Sequence, residues 1–287
     1  MKPVYNLTEY YRAIEDSLKE NKTIVLVTVT GVRGSAPGKT GFRMLADDKA
    51  RIMGTIGGGG GEFHALEKCR ELIKKREKYF SERLLLGAGN SLVNDGTNVE
   101  KLEALCGGEV SLFYEVFTPV KELYIFGAGH VGQAAERIAV MTGFRCTFID
   151  GRKEILDSIE KQSNTATIEF DLSKLNDSGT ERLKLNDNAY VLILTHSHIH
   201  DYDVLKFIYT HYPKMKYVGM IGSVKKVRQC LNDLRRDLGE DIDLSNLYSP
   251  VGLAIGGETP AEIALGILAE IQAVDNGKYI KHMKLEY

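Results

Sequence analysis

The feature that most constrains this fold is an apolar strand-like run, a glycine turn and a helix-like stretch in immediate succession: ELYIF, GAGHVG, QAAERIAVMTG, then FRCTFID, residues 122–150. Gly127 allows the tight turn, Gly129 lets main chain approach a pyrophosphate, and Gly132 permits close helix–strand packing. The helix start offers unpaired N–H groups to an anion. Asp150 closes the second strand about twenty residues on, where a carboxylate can accept hydrogen bonds from ribose hydroxyls. Together these predict a Rossmann-type βαβ unit. His130, inside the turn, stands where a phosphate would pass, which argues against simple NAD chemistry.

Further strands follow at TATIEF, AYVLILT and KYVGMIG, separated by helix-length stretches, so the C-terminal part is expected to be a parallel sheet covered on both faces. The N-terminal part reads differently. NKTIVLVTVT is a β-branched strand ending at Gly31, FRMLAD and RIMGTIG are short strands joined at Asp47 and Asp48, and EVSLFYEVF is a later strand. Between them EFHALEKCRELIKKREKYF puts Phe63, Leu66, Cys69 or Arg70, and Ile73 at helical spacing. The pattern changes around Pro119, so the expected domains are 1–118 and 119–287.

Length and charge limit the function classes. A chain of 287 residues is about two domains at the usual ~100–200 residues each. Lys+Arg 37 against Asp+Glu 39 leaves a formal charge of -2, against a nucleic-acid binder held by phosphate attraction. No apolar run approaches the ~20 residues that cross a bilayer, and the opening MKPVYNLTEYYRAIEDSLKE is a polar lead into an amphipathic helix, so a cytoplasmic protein with no membrane partner is expected. Four widely spaced cysteines form no CxxC pair and are expected as thiols.

A second candidate site is GTIGGGGGE, residues 54–62, where Gly57, Gly58, Gly59, Gly60 and Gly61 run into a helix. Five glycines are costly to order. That points to main chain that must come close to something, with N–H groups able to hold phosphate and Glu62 available to accept from a pterin or purine edge. The plainer reading is a hinge or packed loop in which Glu62 favours the helix dipole. THSHIHD, residues 195–201, follows a strand and invites a metal reading through His196, His198 and His200. The later histidines His211 and His282 are poorly spaced for such a centre, and a polar loop lining a ligand crevice is the better expectation. Cys69, Cys146 and Cys230 fall on apolar stripes and read as core. Cys106, before Gly107 and Gly108, lies outside any periodic pattern, where a thiolate can be exposed. Near the C-terminal end, Thr259, Pro260 and Glu262 form a capping box, and Gly219 and Gly222-Ser223 mark another strand-to-helix turn.

In order, GSAP, FRML, GTIGGG with Glu62, CGG, GAGHVG after a strand, LTH, GMIGS and the closing SPVGL and IGGETPAEIAL resemble the XdhC/CoxI family, accessory or maturation factors of xanthine dehydrogenase and related molybdenum hydroxylases. The resemblance implies an α/β architecture: an N-terminal XdhC/CoxI-type α/β domain followed by a Rossmann-like parallel-sheet domain. It also implies binding of molybdenum cofactor (molybdopterin), protection of it while a cysteine desulfurase installs the sulfido ligand, and delivery into a molybdenum hydroxylase apoenzyme. The resemblance thus implies a carrier, as a homodimer, more than a turnover enzyme. Cys106 matches the family's CGG, whereas Gly60 stands where the family commonly has Cys and Ala254 where Asp is frequent. The competing readings are an NAD(P)-dependent oxidoreductase, from the GxGxxG turn and Asp150, and a metal-dependent hydrolase built on the histidines. Under the carrier reading, the glycine loops of the two halves are expected to grip one anionic ligand.

Overall fold

The computed structural model describes residues 6–87, 98–102, 108–160, 163–175 and 183–278. The chain divides into two compact units, Met1–Pro119 and Val120–Tyr287.

The first unit opens with α1 (Leu7–Lys19), started by a capping box between Asn6 and Glu9. Then come β1 (Ile24–Gly34), β2 (Arg43–Ala46), β3 (Arg51–Gly54), α2 (Gly59–Lys75), β4 (Tyr79–Leu86), β5 (Asn98–Leu102) and β6 (Gly108–Phe117). The strands form one sheet in the order β3-β2-β1-β6-β4-β5. All pairs are antiparallel except β4 with β5. Alternation along β1 decides which helix covers which face. Val25, Val27 and Val29 pack with Ala65, Cys69 and Leu72 of α2, while Ile24 and Leu26 pack with Tyr10 and Ile14 of α1.

Two boundaries differ from the sequence expectation. The strand expected to stop at Gly31 continues to Gly34, because a bulge between Val29 and Gly31 shifts register against β6 and lets pairing resume. The helical reading of residues 62–80 also runs too far. Arg76 adopts a left-handed φ of 56° and ends α2, so Tyr79 and Phe80 open β4. Phe63 lies off the buried stripe and is 68% exposed.

The second unit contains β7 (Lys121–Phe126), α3 (His130–Met141), β8 (Phe144–Asp150), α4 (Lys153–Asp157), β9 (Thr165–Glu169), β10 (Tyr190–Ile193), α5 (His198–His211), β11 (Tyr217–Met220), α6 (Val224–Leu238), β12 (Leu247–Tyr248) and α7 (Pro260–Asp275). Its six strands run in the order β12-β11-β10-β7-β8-β9, every pair parallel. Counted from β9, these are the unit's third, second, first, fourth, fifth and sixth strands, the doubly wound order of dinucleotide-binding domains. Both faces are covered. Leu123, Ile125, Phe148 and Leu192 pack under α3 and α7, while Phe126, Ile149, Val191 and Ile193 pack under α5 and α6. The expected capping box of Thr259, Pro260 and Glu262 starts α7. Cys69, Cys146 and Cys230 are free and buried, and burial pushes the first two thiols up to about 12. No helix among the described residues is long and apolar enough to cross a membrane.

One polar cluster lies inside the first unit. Glu82 of β4 is 3% exposed, and both its oxygens lie 3.0 Å from His64 Nε2 of α2, while the Tyr114 hydroxyl of β6 donates to its Oε1. The hydrogen bond to Glu82 raises the His64 pKa against the opposing effect of burial. A raised histidine pKa stabilises the fold fully below the ordinary value of about 6.5, and that contribution is lost as pH rises through the folded-state value. Urea unfolding followed from pH 6 upward should therefore show stability falling above the ordinary histidine range, and His64→Gln should flatten that dependence.

Candidate functional site

The doubly wound order makes β7 and β10 neighbours whose following segments leave toward opposite faces, the switch point at whose carboxyl ends such sheets take their ligands. The glycine turn sits there. Gly127 has a φ of +108°, and a Cβ on it would fall 2.4 Å from Leu194 O. A Cβ on Gly132 would fall 2.4 Å from Gly127 O, so α3 rests directly on the turn that precedes it. Gly129 is different: it is the N-cap of α3, with a φ of -71°, and a Cβ there meets nothing within 4 Å among the described residues. His130 is the first residue of α3 and is exposed. The turn therefore has two glycines required by packing and one whose main chain is open.

Asp150 ends β8 and is 3% exposed. Its Oδ2 accepts from Ala128 N at 2.8 Å and from Arg152 Nη2 at 2.6 Å. Its Oδ1 accepts from Arg152 N at 3.0 Å and Arg152 Nε at 2.9 Å. Burial pushes the carboxyl up, but the Arg152 and Ala128 bonds together outweigh it and hold the pKa below its ordinary value. Two carboxylate oxygens offer about four lone pairs, and four donors use them. A ribose hydroxyl would have to displace Arg152.

At the end of β10, residues 195–201 do not form a loop throughout. Ser197 caps α5, and His198, His200 and Asp201 belong to its first turn. Asp201 is fully buried, accepting from Thr195 N at 3.2 Å, from Thr195 Oγ1 at 2.7 Å and from Lys226 Nζ. The His196 and His200 rings meet edge to face, with centroids 5.6 Å apart. His200 Nδ1 is 3.9 Å from Asp203 Oδ2, too far for a hydrogen bond. Among the described residues no group of three or more His, Cys, Asp or Glu is placed to hold a metal ion. Ser223 caps α6, and a cleft of about 530 Å³ between α5 and α6 is lined by Ile199, Tyr202, Ser223, Lys226 and Cys230.

In the first unit the five glycines divide by cause. Gly57, at φ +130°, is forced, because a Cβ would fall 2.7 Å from Gly38 N, where the two loops meet main chain to main chain. Gly58 and Gly59 have φ of +90° and +65°. Gly60 and Gly61 have no positive φ, a methyl group on either would meet nothing within 4 Å among the described residues, and they occupy the first turn of α2. Glu62 turns back onto the loop: Oε1 accepts from Ile56 N at 3.2 Å and from the Thr55 hydroxyl, and Oε2 pairs with Arg51 Nη1 at 2.8 Å. Its carboxylate fixes the shape of the glycine loop from inside. Cys106 lies outside the described residues.

Sequence reasoning misses Arg152, the Thr195–Asp201–Lys226 network and the His64–Glu82–Tyr114 cluster. Arg152 has a readable signal, standing two residues after Asp150 in DGR. The other two depend on contacts between residues 18 to 32 positions apart, His64 with Glu82, Glu82 with Tyr114 and Asp201 with Lys226, and only Thr195 with Asp201, six apart, is local.

Comparison with known proteins matches two separate segments of the chain. Residues 123–271 match the XdhC Rossmann domain, and residues 17–82 match the XdhC and CoxI family. The chain is 28% identical over 259 residues to the uncharacterized protein YqeB of Escherichia coli (strain K12), a match that covers 90% of this chain and 44% of YqeB. It is 22% identical over 335 aligned positions to a protein of Bacillus subtilis (strain 168) described as a probable xanthine dehydrogenase subunit, covering 91% of this chain and 96% of that one. A crystal structure described as a xanthine dehydrogenase from Bacillus halodurans is similar with a TM-score of 0.48 and 18% identity, covering 93% of this chain and 96% of that chain. With a Rossmann-domain match over more than half its length and the companion domain in its N-terminal part, the chain belongs to the XdhC/CoxI family.

Proposed function

We propose that this protein is an accessory factor of a xanthine dehydrogenase-type molybdenum hydroxylase, which binds molybdenum cofactor and presents it for sulfuration and insertion. Family membership in both parts of the chain carries the accessory role. The cofactor step is supported by Gly61, and by Gly60 where this chain departs from the family's cysteine and leaves the first turn of α2 without a side chain. Glycine costs up to about 1 kcal/mol relative to alanine inside a helix, and neither the backbone conformation nor any contact among the described residues calls for glycine at these two first-turn positions. Bare main chain at a helix start suits the phosphate of the cofactor, because first-turn N–H groups and the positive end of the helix dipole both favour an anion there.

The division of labour follows from the chemistry of each residue. Gly57, Gly58 and Gly59 set the curve of the loop, Glu62 with Arg51 and Thr55 keeps it in place, and Gly60 and Gly61 leave room for close approach. When bound, the cofactor supplies the molybdenum centre that the partner hydroxylase uses, so this chain has only to hold, shield and release it. Cys106 is the thiolate we assign to the sulfur-bearing side of that task, a cysteine desulfurase is the sulfur donor, and the carrier acts as a homodimer in the cytoplasm.

Purified protein mixed anaerobically with molybdenum cofactor should retain it through gel filtration, and no retention alongside a competent homologue would reject the carrier role. Gly60→Ala and Gly61→Ala should leave thermal stability equal or raise it by up to about 1 kcal/mol each, yet lower cofactor retention. Loss of retention together with loss of fold would instead make these glycines structural. Gly132→Ala is the contrasting case: its methyl must displace Gly127 O, and a destabilisation of about 1–3 kcal/mol is expected in urea unfolding.

A further inference from the structure

At the end of the second strand of a dinucleotide-binding domain, a carboxylate selects a ribose with free hydroxyls, while an arginine accommodates a ribose carrying a phosphate. Both residue types are present at this corner, and their hydrogen bonds decide between them. Asp150 is 3% exposed, and each oxygen already accepts two donors, one of them Ala128 N from the glycine turn itself. It has no acceptor capacity left for a hydroxyl.

Arg152 is in the opposite condition. Its side chain is 32% exposed, and it meets Asp150 through Nε and Nη2, the side-on edge of the guanidinium. Of the five N–H donors of an arginine, two are used in this way, which leaves both on Nη1 and one on Nη2. That remaining pair of nitrogens forms the end-on fork, whose spacing matches two oxygens of a phosphate. Asp150 thus acts as a clamp that fixes the guanidinium plane, so less side-chain freedom is lost when an anion arrives. Ala128 N ties the clamp to the turn where a pyrophosphate would lie.

We propose that Arg152 makes the carboxyl end of β8 a phosphate subsite, so that the Rossmann unit takes a nucleotide phosphorylated on its adenosine ribose in preference to one with free 2′ and 3′ hydroxyls. Asp150 is the positioning residue of that subsite and does not itself meet the ligand. The subsite is independent of the proposed binding of molybdenum cofactor by the first unit, and its test does not involve that cofactor.

Calorimetric titration of the full chain with adenosine 2′,5′-bisphosphate and with ADP tests it. The bisphosphate should bind about ten- to hundredfold more tightly, the range expected for hydrogen bonds to a charged partner. Arg152→Ala should abolish that preference and, by freeing Asp150 to accept hydroxyls, leave ADP binding unchanged or tighter. Arg152→Lys should keep part of the preference, since an ammonium attracts phosphate without the planar fork. If Arg152→Ala proves unfolded by circular dichroism, Arg152→Lys carries the comparison alone. ADP binding at least as tightly as the bisphosphate, a preference that survives in Arg152→Ala, or binding of neither nucleotide at millimolar concentration would each overturn the subsite. Retention of molybdenum cofactor in gel filtration is a separate measurement, so a failure here is distinguishable from a failure of the carrier role.

Discussion

The second unit depends on a close approach of main chain to main chain at one point. Gly127 turns under Leu194 O, and Gly132 lets α3 rest on Gly127 O, each with no room for a methyl group. This contact brings the end of β7 against the end of β10 and fixes where α3 begins. Everything at the carboxyl edge inherits its position from that junction: Ala128 N reaches Asp150, and Thr195 begins the segment that buries Asp201. The sheet on either side is ordinary apolar packing, with side chains alternating between two covered faces. Such packing tolerates exchange of one apolar residue for another of similar volume far better than the turn tolerates a single added carbon.

Each unit also holds buried carboxylates, and their partners show how the desolvation is met. A buried charge is costly unless it is paired and hydrogen-bonded. Glu82 is satisfied by His64 and Tyr114, Asp201 by Thr195 and Lys226, and Asp150 by Arg152 and Ala128. In all three cases the donors come from different elements, so that Glu82 joins α2 to strands, Asp201 joins α5 to α6 and to the end of β10, and Asp150 joins the glycine turn to a strand end. Removing one partner leaves the other charged and buried, which is why single substitutions there are expected to cost more than deletion of an exposed pair.

Legibility in the sequence follows the range of the interaction. The βαβ unit, its glycine turn and the capping box of α7 are local patterns, and their residues carry the signal within a few positions. The helix at residues 59–75 is also legible, but its end is not, because the left-handed residue there is Arg76 where a glycine would normally mark the stop. The end of β1 is hidden for a related reason: Gly31 looks like a terminator and is instead part of a bulge that only pairing with β6 defines. At the candidate sites, the glycines can be read as a group but not sorted. Only the folded backbone separates Gly57 and Gly132, which have no space for a side chain, from Gly60 and Gly129, which have it.

Glu62 and Asp150 lead to the same conclusion about ligand charge. Each is hydrogen-bonded to main chain beside or within a glycine loop of its unit, and from sequence each is a natural acceptor for a ligand's donors. In the folded chain Glu62 accepts from Thr55, Ile56 and Arg51, and Asp150 from Ala128 and Arg152. Asp150 is therefore spent on shaping the loop beside it, and Glu62 has three of its about four acceptor positions used in the same way. What the loops still offer outward is donors: main-chain N–H groups at two helix starts and the outer edge of one guanidinium. A donor-rich, side-chain-poor surface favours an anion with several oxygens over a neutral or cationic ring, and the affinity of such a surface for phosphate should fall as salt is raised. On a pterin or purine edge, such loops meet ring acceptors through main-chain N–H groups, while ring donors find at most one acceptor position on the two acids, that of Glu62.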